Sequence, residues 1–233
     1  MRANSAVSMF MRGKLRDRPT GVQPARTGAR VFRATKNADE FPDFRIPPRR
    51  IPPFTPRMPT SAAIRAAVRD VADFPEPGIV FKDITPILSN AKLFRDSITL
   101  LCESAAGHTI DKVVGIDARG FIFAAAVADR LGTGFVPVRK KGKLPWMTRQ
   151  TAYQLEYGES VVELHEDAVA PGESVLLVDD LLATGGTAAA AVRLLDELGA
   201  HIVGVSFLIE LSFLGGRAKL GDHRISSILK YDH

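Results

Sequence analysis

Twice from residue 112 onward, a short apolar run passes through a turn into a helical pattern and emerges as another apolar run. Lys112 to Ile116, the Ala-rich stretch Phe121 to Leu131 closed by Gly132, and Gly134 to Val138 form the first set; Ser174 to Val178, Gly186 to Leu198 and His201 to Ile209 form the second. Strands this apolar, separated by single helices, predict βαβ units and an α/β fold whose central, mainly parallel sheet is flanked by helices. In such sheets ligands bind beyond the carboxyl ends of the strands. Function is therefore expected at Asp117 to Gly120, from Arg139 onward, and at Asp179 to Thr187.

Upstream, Ala63, Ile64, Ala67, Val68 and Val71 share one helical face, with Ser61 available as a cap and Pro75 as a stop. The turn-rich Phe74-Pro75-Glu76-Pro77-Gly78, an apolar piece Ile79 to Phe81 and a helical pattern from about Ala91 to Ala106 follow. The chain's formal net charge of +5 is unevenly placed: residues 1–57 carry 13 Lys+Arg against 4 Asp+Glu, and the rest is net acidic. Those first residues also hold eight of the 15 prolines and show no sustained period, so they read as a disordered basic extension, with one domain over 58–233. Three readings of the extension stay open: a targeting peptide, a nucleic-acid arm, or an upstream stretch preceding a true start at Met58.

Cys102 is the sole cysteine, which excludes an intrachain disulfide scaffold and a Cys-based zinc site and fits a reducing, cytoplasmic setting. No apolar run reaches the roughly 18 residues a membrane helix needs, so a soluble protein without membrane contacts is expected. The five histidines are scattered without metal-ligand spacing.

The sharpest chemical signal is Val175-Leu176-Leu177-Val178-Asp179-Asp180-Leu181-Leu182-Ala183-Thr184-Gly185-Gly186-Thr187. A buried strand meets two carboxylates, and a loop of small and hydroxyl residues opens into a helix. Backbone N–H groups at that helix start, with the hydroxyls of Thr184 and Thr187, make a phosphate cradle that the glycines let a ligand approach closely. The lysine of a P-loop and the spacing of a dinucleotide fingerprint are both missing. Asp179 and Asp180 would repel phosphate but suit ribose hydroxyls, which donate hydrogen bonds to them. Taken singly, one of the aspartates reads less often as a mere cap of the helix or turn.

Asp179 to Thr187 resembles the phosphoribosyl-pyrophosphate (PRPP) motif of the type I phosphoribosyltransferase family, in the wording of its adenine-specific branch. Phe74-Pro75-Glu76-Pro77-Gly78-Ile79-Val80-Phe81-Lys82-Asp83-Ile84-Thr85-Pro86 resembles that branch's base-binding segment, and Gly115-Ile116-Asp117-Ala118-Arg119-Gly120-Phe121 its pyrophosphate loop. Arg139 to Pro145 with Tyr153-Gln154-Leu155-Glu156-Tyr157-Gly158 resembles its mobile catalytic loop. The resemblance runs in order from about Ser61 to the end. It implies the type I fold with a small N-terminal hood, transfer of phosphoribose from PRPP to adenine giving AMP and pyrophosphate in purine salvage, Mg²⁺ bound mainly through the substrate, and a homodimer.

By the same resemblance, PRPP or AMP is held by Asp179, Asp180, Ala183, Thr184, Gly185, Gly186, Thr187, Arg119, Arg139, Lys140 and Lys143. Adenine is held by Ile79, Val80, Phe81, Lys82 and Glu156, with Glu156 and Arg119 catalytic. The cations suit a pyrophosphate leaving group. Without the other motifs, Arg139 to Lys143 would read as a solvated loop and Glu156 as a surface residue on a hairpin, while Ile79 to Lys82, flanked by Pro77 and Pro86, reads equally as packing or as the base-reading segment. Lys82 departs from the Arg common in the family and loses its planar fork. Two rivals stay open: another purine base, since only hood and loop would differ, and a PRPP-sensing regulator that binds DNA through the basic extension. Residues 1–57 lack the paired helices of a helix-turn-helix, and no nucleic-acid partner is expected.

Overall fold

The structure, a computed structural model, describes residues 60–155 and 158–233. The expected disorder of residues 1–57, the boundary at Met58 and the position of Glu156 lie outside the described residues.

Helix α1 (Ser61–Ala67) is shorter than its sequence pattern predicts. Val68 turns to an extended backbone, and Arg69–Ala72 becomes strand β1, paired antiparallel with β2 (Val80–Asp83) so that Val71 faces Phe81 and Asp70 faces Lys82. Pairing gives these backbone groups partners that a ninth to twelfth helical residue would have found within the helix. Asp73 Oδ1 accepts from the Gly78 N–H at 2.7 Å, closing the turn between the two strands. The expected cap at Ser61 is not formed: Thr60 occupies the cap position, without a side-chain bond.

A short helix that the sequence reading did not separate, α2 (Thr85–Ser89), precedes α3 (Ala91–Glu103), where Asn90 Oδ1 caps the N–H groups of Lys92 and Leu93 at 3.0 and 3.1 Å. Then come β3 (Lys112–Ile116), α4 (Arg119–Leu131), closed by left-handed Gly132, and β4 (Gly134–Lys140). The segment read as one loop contains a hairpin, β5 (Thr148–Leu155) and β6 (Gly158–His165). The second unit is β7 (Ser174–Leu182), α5 (Gly186–Glu197) and β8 (His201–Leu211), followed by two short 3-10 helices, Ser212–Leu214 and Gly216–Leu220, and by β9 (Ile225–Tyr231).

The main sheet runs β5-β6-β4-β3-β7-β8-β9. Its five strands from β4 to β9 in that order are parallel, and the hairpin joins antiparallel through Arg139 opposite Glu163. Successive residues point to opposite faces, which divides the core in two. Val114, Leu177, Val205 and Phe207 pack with the alanines and leucines of α5; Val113, Leu176, Val178 and Leu208 pack with α3 and α4. Both faces are covered, as the unbroken apolar strands require. Among the described residues no helix is long and apolar enough to cross a membrane.

β7 extends four residues beyond the predicted Val178, because β8 continues to pair with Asp179, Leu181 and Leu182. Asp179 and Asp180 thus stand on a held strand end rather than in a loop. That places the carboxylates with strand-like precision.

Candidate active site

At the carboxyl ends of β3 and β7 lies a cavity of about 310 Å³, lined by Ile116 to Arg119 and by Asp179 to Ala188. All the residues of the predicted PRPP motif line it. No side chain caps α5, so the N–H groups of its first turn keep their hydrogen-bonding capacity for a ligand. Gly185, at φ +78°, makes the left-handed turn into that helix, a conformation that disfavours any side chain.

Arg119 opens α4, and its Nε lies 2.7 Å from Asp180 Oδ2. Its guanidinium also stands 5.2 Å from the centre of the Phe81 ring. One cation thereby joins the pyrophosphate-loop segment, the carboxylate pair and the predicted base-binding strand. Gly120, next along, packs so tightly on Asp179 that an added Cβ would run into Oδ1.

The two aspartates divide charge between them. Burial, and then the negative charge of Asp180, pushes the Asp179 carboxyl well above its ordinary range. Burial also raises Asp180, but Arg119 opposes it. Asp179 is thus raised the further of the two, and Arg119 holds Asp180 back.

Arg139, at the end of β4, reaches the same loop: its Nε is 3.1 Å from Asp117 Oδ2, and its Nη1 donates to the Lys143 carbonyl at 3.2 Å. Lys140 and Lys143 are exposed and do not line the cavity. The turn that carries Lys143 is fastened by a residue the sequence reading missed. Glu163, 2% exposed, accepts from the N–H groups of Lys143 and Leu144 at 2.8 Å each. Burial works to raise its pKa, but the backbone N–H groups of Leu144, Gly142 and Lys143 outweigh it and hold the carboxylate below its ordinary range. The one signal in the sequence was a lone acid inside Val161-Val162-Glu163-Leu164.

The predicted base-binding segment is β2 with its preceding turn. Phe81 is half-buried against Phe74 in an edge-to-face pair, ring centres 5.2 Å apart, while Ile79 and Val80 leave 42% and 50% of their surface open. The Lys82 side chain is directed elsewhere: Nζ pairs with Asp70 at 2.8 Å and lies 4.4 Å from the centre of the Tyr231 ring. Glu156 falls between the described ends of β5 and β6. Among the described residues no group of three or more His, Cys, Asp or Glu side chains is arranged to hold a metal ion.

The phosphoribosyl transferase domain family matches residues 83–225. Adenine phosphoribosyltransferase from Anaeromyxobacter dehalogenans is 56% identical over 169 residues, which is 72% of this chain and 98% of that protein. The enzyme of the same name from Acidothermus cellulolyticus is 56% identical over 167 residues, 72% of this chain and 94% of its own length. The chain belongs to the adenine phosphoribosyltransferase family. It is a transferase of the type I phosphoribosyltransferase fold. The crystal structure of adenine phosphoribosyltransferase from Thermoanaerobacter pseudethanolicus superposes with a TM-score of 0.72 at 49% identity, covering 74% of this chain and all of that one. The Saccharomyces cerevisiae enzyme, solved with adenine and an imino-altritol bisphosphate, gives a TM-score of 0.69 at 40% identity and covers 72% of this chain and 98% of its own. Of the predicted site residues, Arg119, Asp179, Asp180 and Ala183 to Thr187 line the cavity, whereas Arg139, Lys140, Lys143 and Ile79 to Lys82 do not.

Proposed function

We propose that the chain transfers phosphoribose from PRPP to N9 of adenine, releasing pyrophosphate and forming AMP in purine salvage. The observation that carries the site assignment is the cavity in which Arg119, the Asp179–Asp180 pair and the uncapped start of α5 meet.

In this reading the 5′-phosphate accepts hydrogen bonds from the backbone N–H groups of Ala183 to Thr187 and the hydroxyls of Thr184 and Thr187. Asp179 and Asp180 accept from the ribose hydroxyls. Arg119 exchanges Asp180 for the pyrophosphate, and Arg139 approaches from Asp117. Lys140, at the end of β4, and Lys143, on the turn that follows, add positive charge.

Magnesium fits this donor set as an ion clad in substrate oxygens and water, because Asp117 and Asp180 are already engaged with arginines. When bound it supplies charge that steadies the departing pyrophosphate. Adenine packs against Phe81, with the backbone of Ile79 to Lys82 reading its edge. Glu156 is assigned to the base near N7, assisting attack by N9 on C1 of the sugar. A homodimer in the cytoplasm completes the proposal, supported by the family resemblance and by a single cysteine.

The test is pyrophosphate release from PRPP and Mg²⁺ with adenine, hypoxanthine, guanine or xanthine offered separately. Release with adenine alone is expected. Release with another base overturns the specificity, and binding of PRPP without release under any base overturns the enzyme assignment in favour of a PRPP sensor.

A further inference from the structure

Beyond the cavity, one buried carboxylate has a full set of partners. Glu210, 4% exposed, sits near the carboxyl end of β8, opposite Leu182, the last residue of β7. Arg217 embraces it with both arms of its fork, Nε to Oε1 at 2.9 Å and Nη2 to Oε2 at 2.6 Å. Ser227 Oγ donates to Oε2 at 2.6 Å, Lys230 Nζ stands 3.9 Å away, and Arg217 Nη1 donates to the Ile225 carbonyl at 3.1 Å. The pair thus fixes the 3-10 helix Gly216–Leu220 against the ends of β8 and β9. A bidentate, charge-assisted pair holds direction as well as distance.

The residue beside Arg217 carries this fixation to the phosphate loop. A Cβ on Gly216 would strike the Ala183 carbonyl oxygen and come within 2.8 Å of Gly185 N; a Cβ on Gly185 would strike the Gly216 carbonyl. Two glycines are in backbone contact, one in the loop proposed to hold the 5′-phosphate and the other held by Arg217. Nothing flexible lies between them to absorb a shift.

We propose that Glu210 and Arg217 are positioning residues for PRPP, acting through Gly216 on the backbone of Ala183 to Gly185. The inference rests on the assignment of that loop to the 5′-phosphate. Adenine, on β2, lies outside this chain of contacts, so the effect should fall on one substrate alone.

The experiment compares wild type with Arg217→Met by calorimetric titration of PRPP with Mg²⁺ and by initial rates with each substrate varied. The expected result is a rise of about tenfold or more in the Kd and KM for PRPP, with KM for adenine changed less than about twofold. Should Arg217→Met fail to fold, Ser227→Ala, which removes one hydroxyl from Glu210, gives the same split at smaller size. Gly216→Ala, which leaves the ion pair whole, should reproduce the PRPP defect. Unchanged PRPP affinity in folded Arg217→Met or Ser227→Ala, or equal losses for both substrates, overturns the proposal. A wild type that binds no PRPP overturns instead the functional reading beneath it.

Discussion

Arg119 and Asp180, 61 residues apart in sequence, form an ion pair of 2.7 Å in the middle of the cavity. The cation proposed for pyrophosphate and the acceptor proposed for ribose satisfy one another until substrate replaces both contacts. Each is thereby oriented in advance, and the cost of parting them is offset by two new charge-assisted contacts.

Removing the charge of Asp180 therefore acts twice, loosening Arg119 and weakening the ribose grip. Asp180→Asn is expected to lower kcat/KM for PRPP by about 10- to 100-fold, the worth of roughly 1.5–3 kcal/mol for a hydrogen bond to a charged group. Initial rates at varied PRPP check this. A loss smaller than threefold sinks the assigned role.

Asp179 leads to a pH prediction. Its carboxyl is raised by burial and by Asp180, so it binds a proton more tightly in the folded protein than in the unfolded chain, where its ordinary value is 3.8. The sign follows: this group detracts from stability increasingly as pH rises from that value through the raised folded pKa. Asp179→Asn removes that penalty and is expected to raise Tm at neutral pH by about 2–4 °C, equivalent to roughly 1 kcal/mol in a chain of this size. The same variant should bind PRPP more weakly, and it should lose the weakening of PRPP affinity that wild type shows on acidification. Melting curves and titrations across pH test both statements.

Much of this site is legible in the sequence because the chemistry and the sheet coincide there. The apolar runs at Lys112 and Ser174 are buried on both faces, so composition alone marks them as strands, and their carboxyl ends mark the site. Arg69 to Ala72 was not legible: Val71 falls in helical phase with Ile64 and Ala67, and only pairing with β2 makes it a strand. β9 was missed for a similar reason, since its Ser226 and Ser227 interrupt the apolar pattern of an edge strand. Glu163 and Glu210 escaped because their partners are backbone N–H groups 19 or 20 residues away and an arginine in a later turn. Such partners leave no periodic trace.

Glu163 gives the third prediction. Substitution by Gln keeps the size but removes the charge that two N–H groups of the Lys143 turn share. Glu163→Gln is expected to cost about 1–3 kcal/mol of stability. The Lys143 turn should also loosen, raising KM for PRPP several-fold. Because the folded pKa is lowered, the stability Glu163 provides is present above its unfolded value of 4.5 and disappears as pH falls through the folded pKa. Wild type and variant should therefore converge in Tm toward low pH; parallel curves would remove the carboxylate from this role.

Lys82 gives the fourth, and turns on what its side chain does. Asp70 takes its charge at 2.8 Å, and the centre of the Tyr231 ring lies 4.4 Å from Lys82 Nζ and 4.6 Å from the Arg65 guanidinium. Two cations, from α1 and β2, thus clasp the last residue of β9 and tie to it the strand proposed to meet the base. An arginine at position 82 can make both contacts, so Lys82→Arg is expected to change KM for adenine less than about threefold. Tyr231→Ala removes the ring from both cations, a loss of about 0.5–2 kcal/mol for a cation–π contact, and should raise KM for adenine while leaving the Kd for PRPP unchanged. Adenine kinetics and PRPP titration on the two variants decide it. A large effect of Lys82→Arg would mean that position 82 reads the base with its own side chain, and an equal loss of both ligands in Tyr231→Ala would mean that the clasp supports the whole fold rather than the base strand.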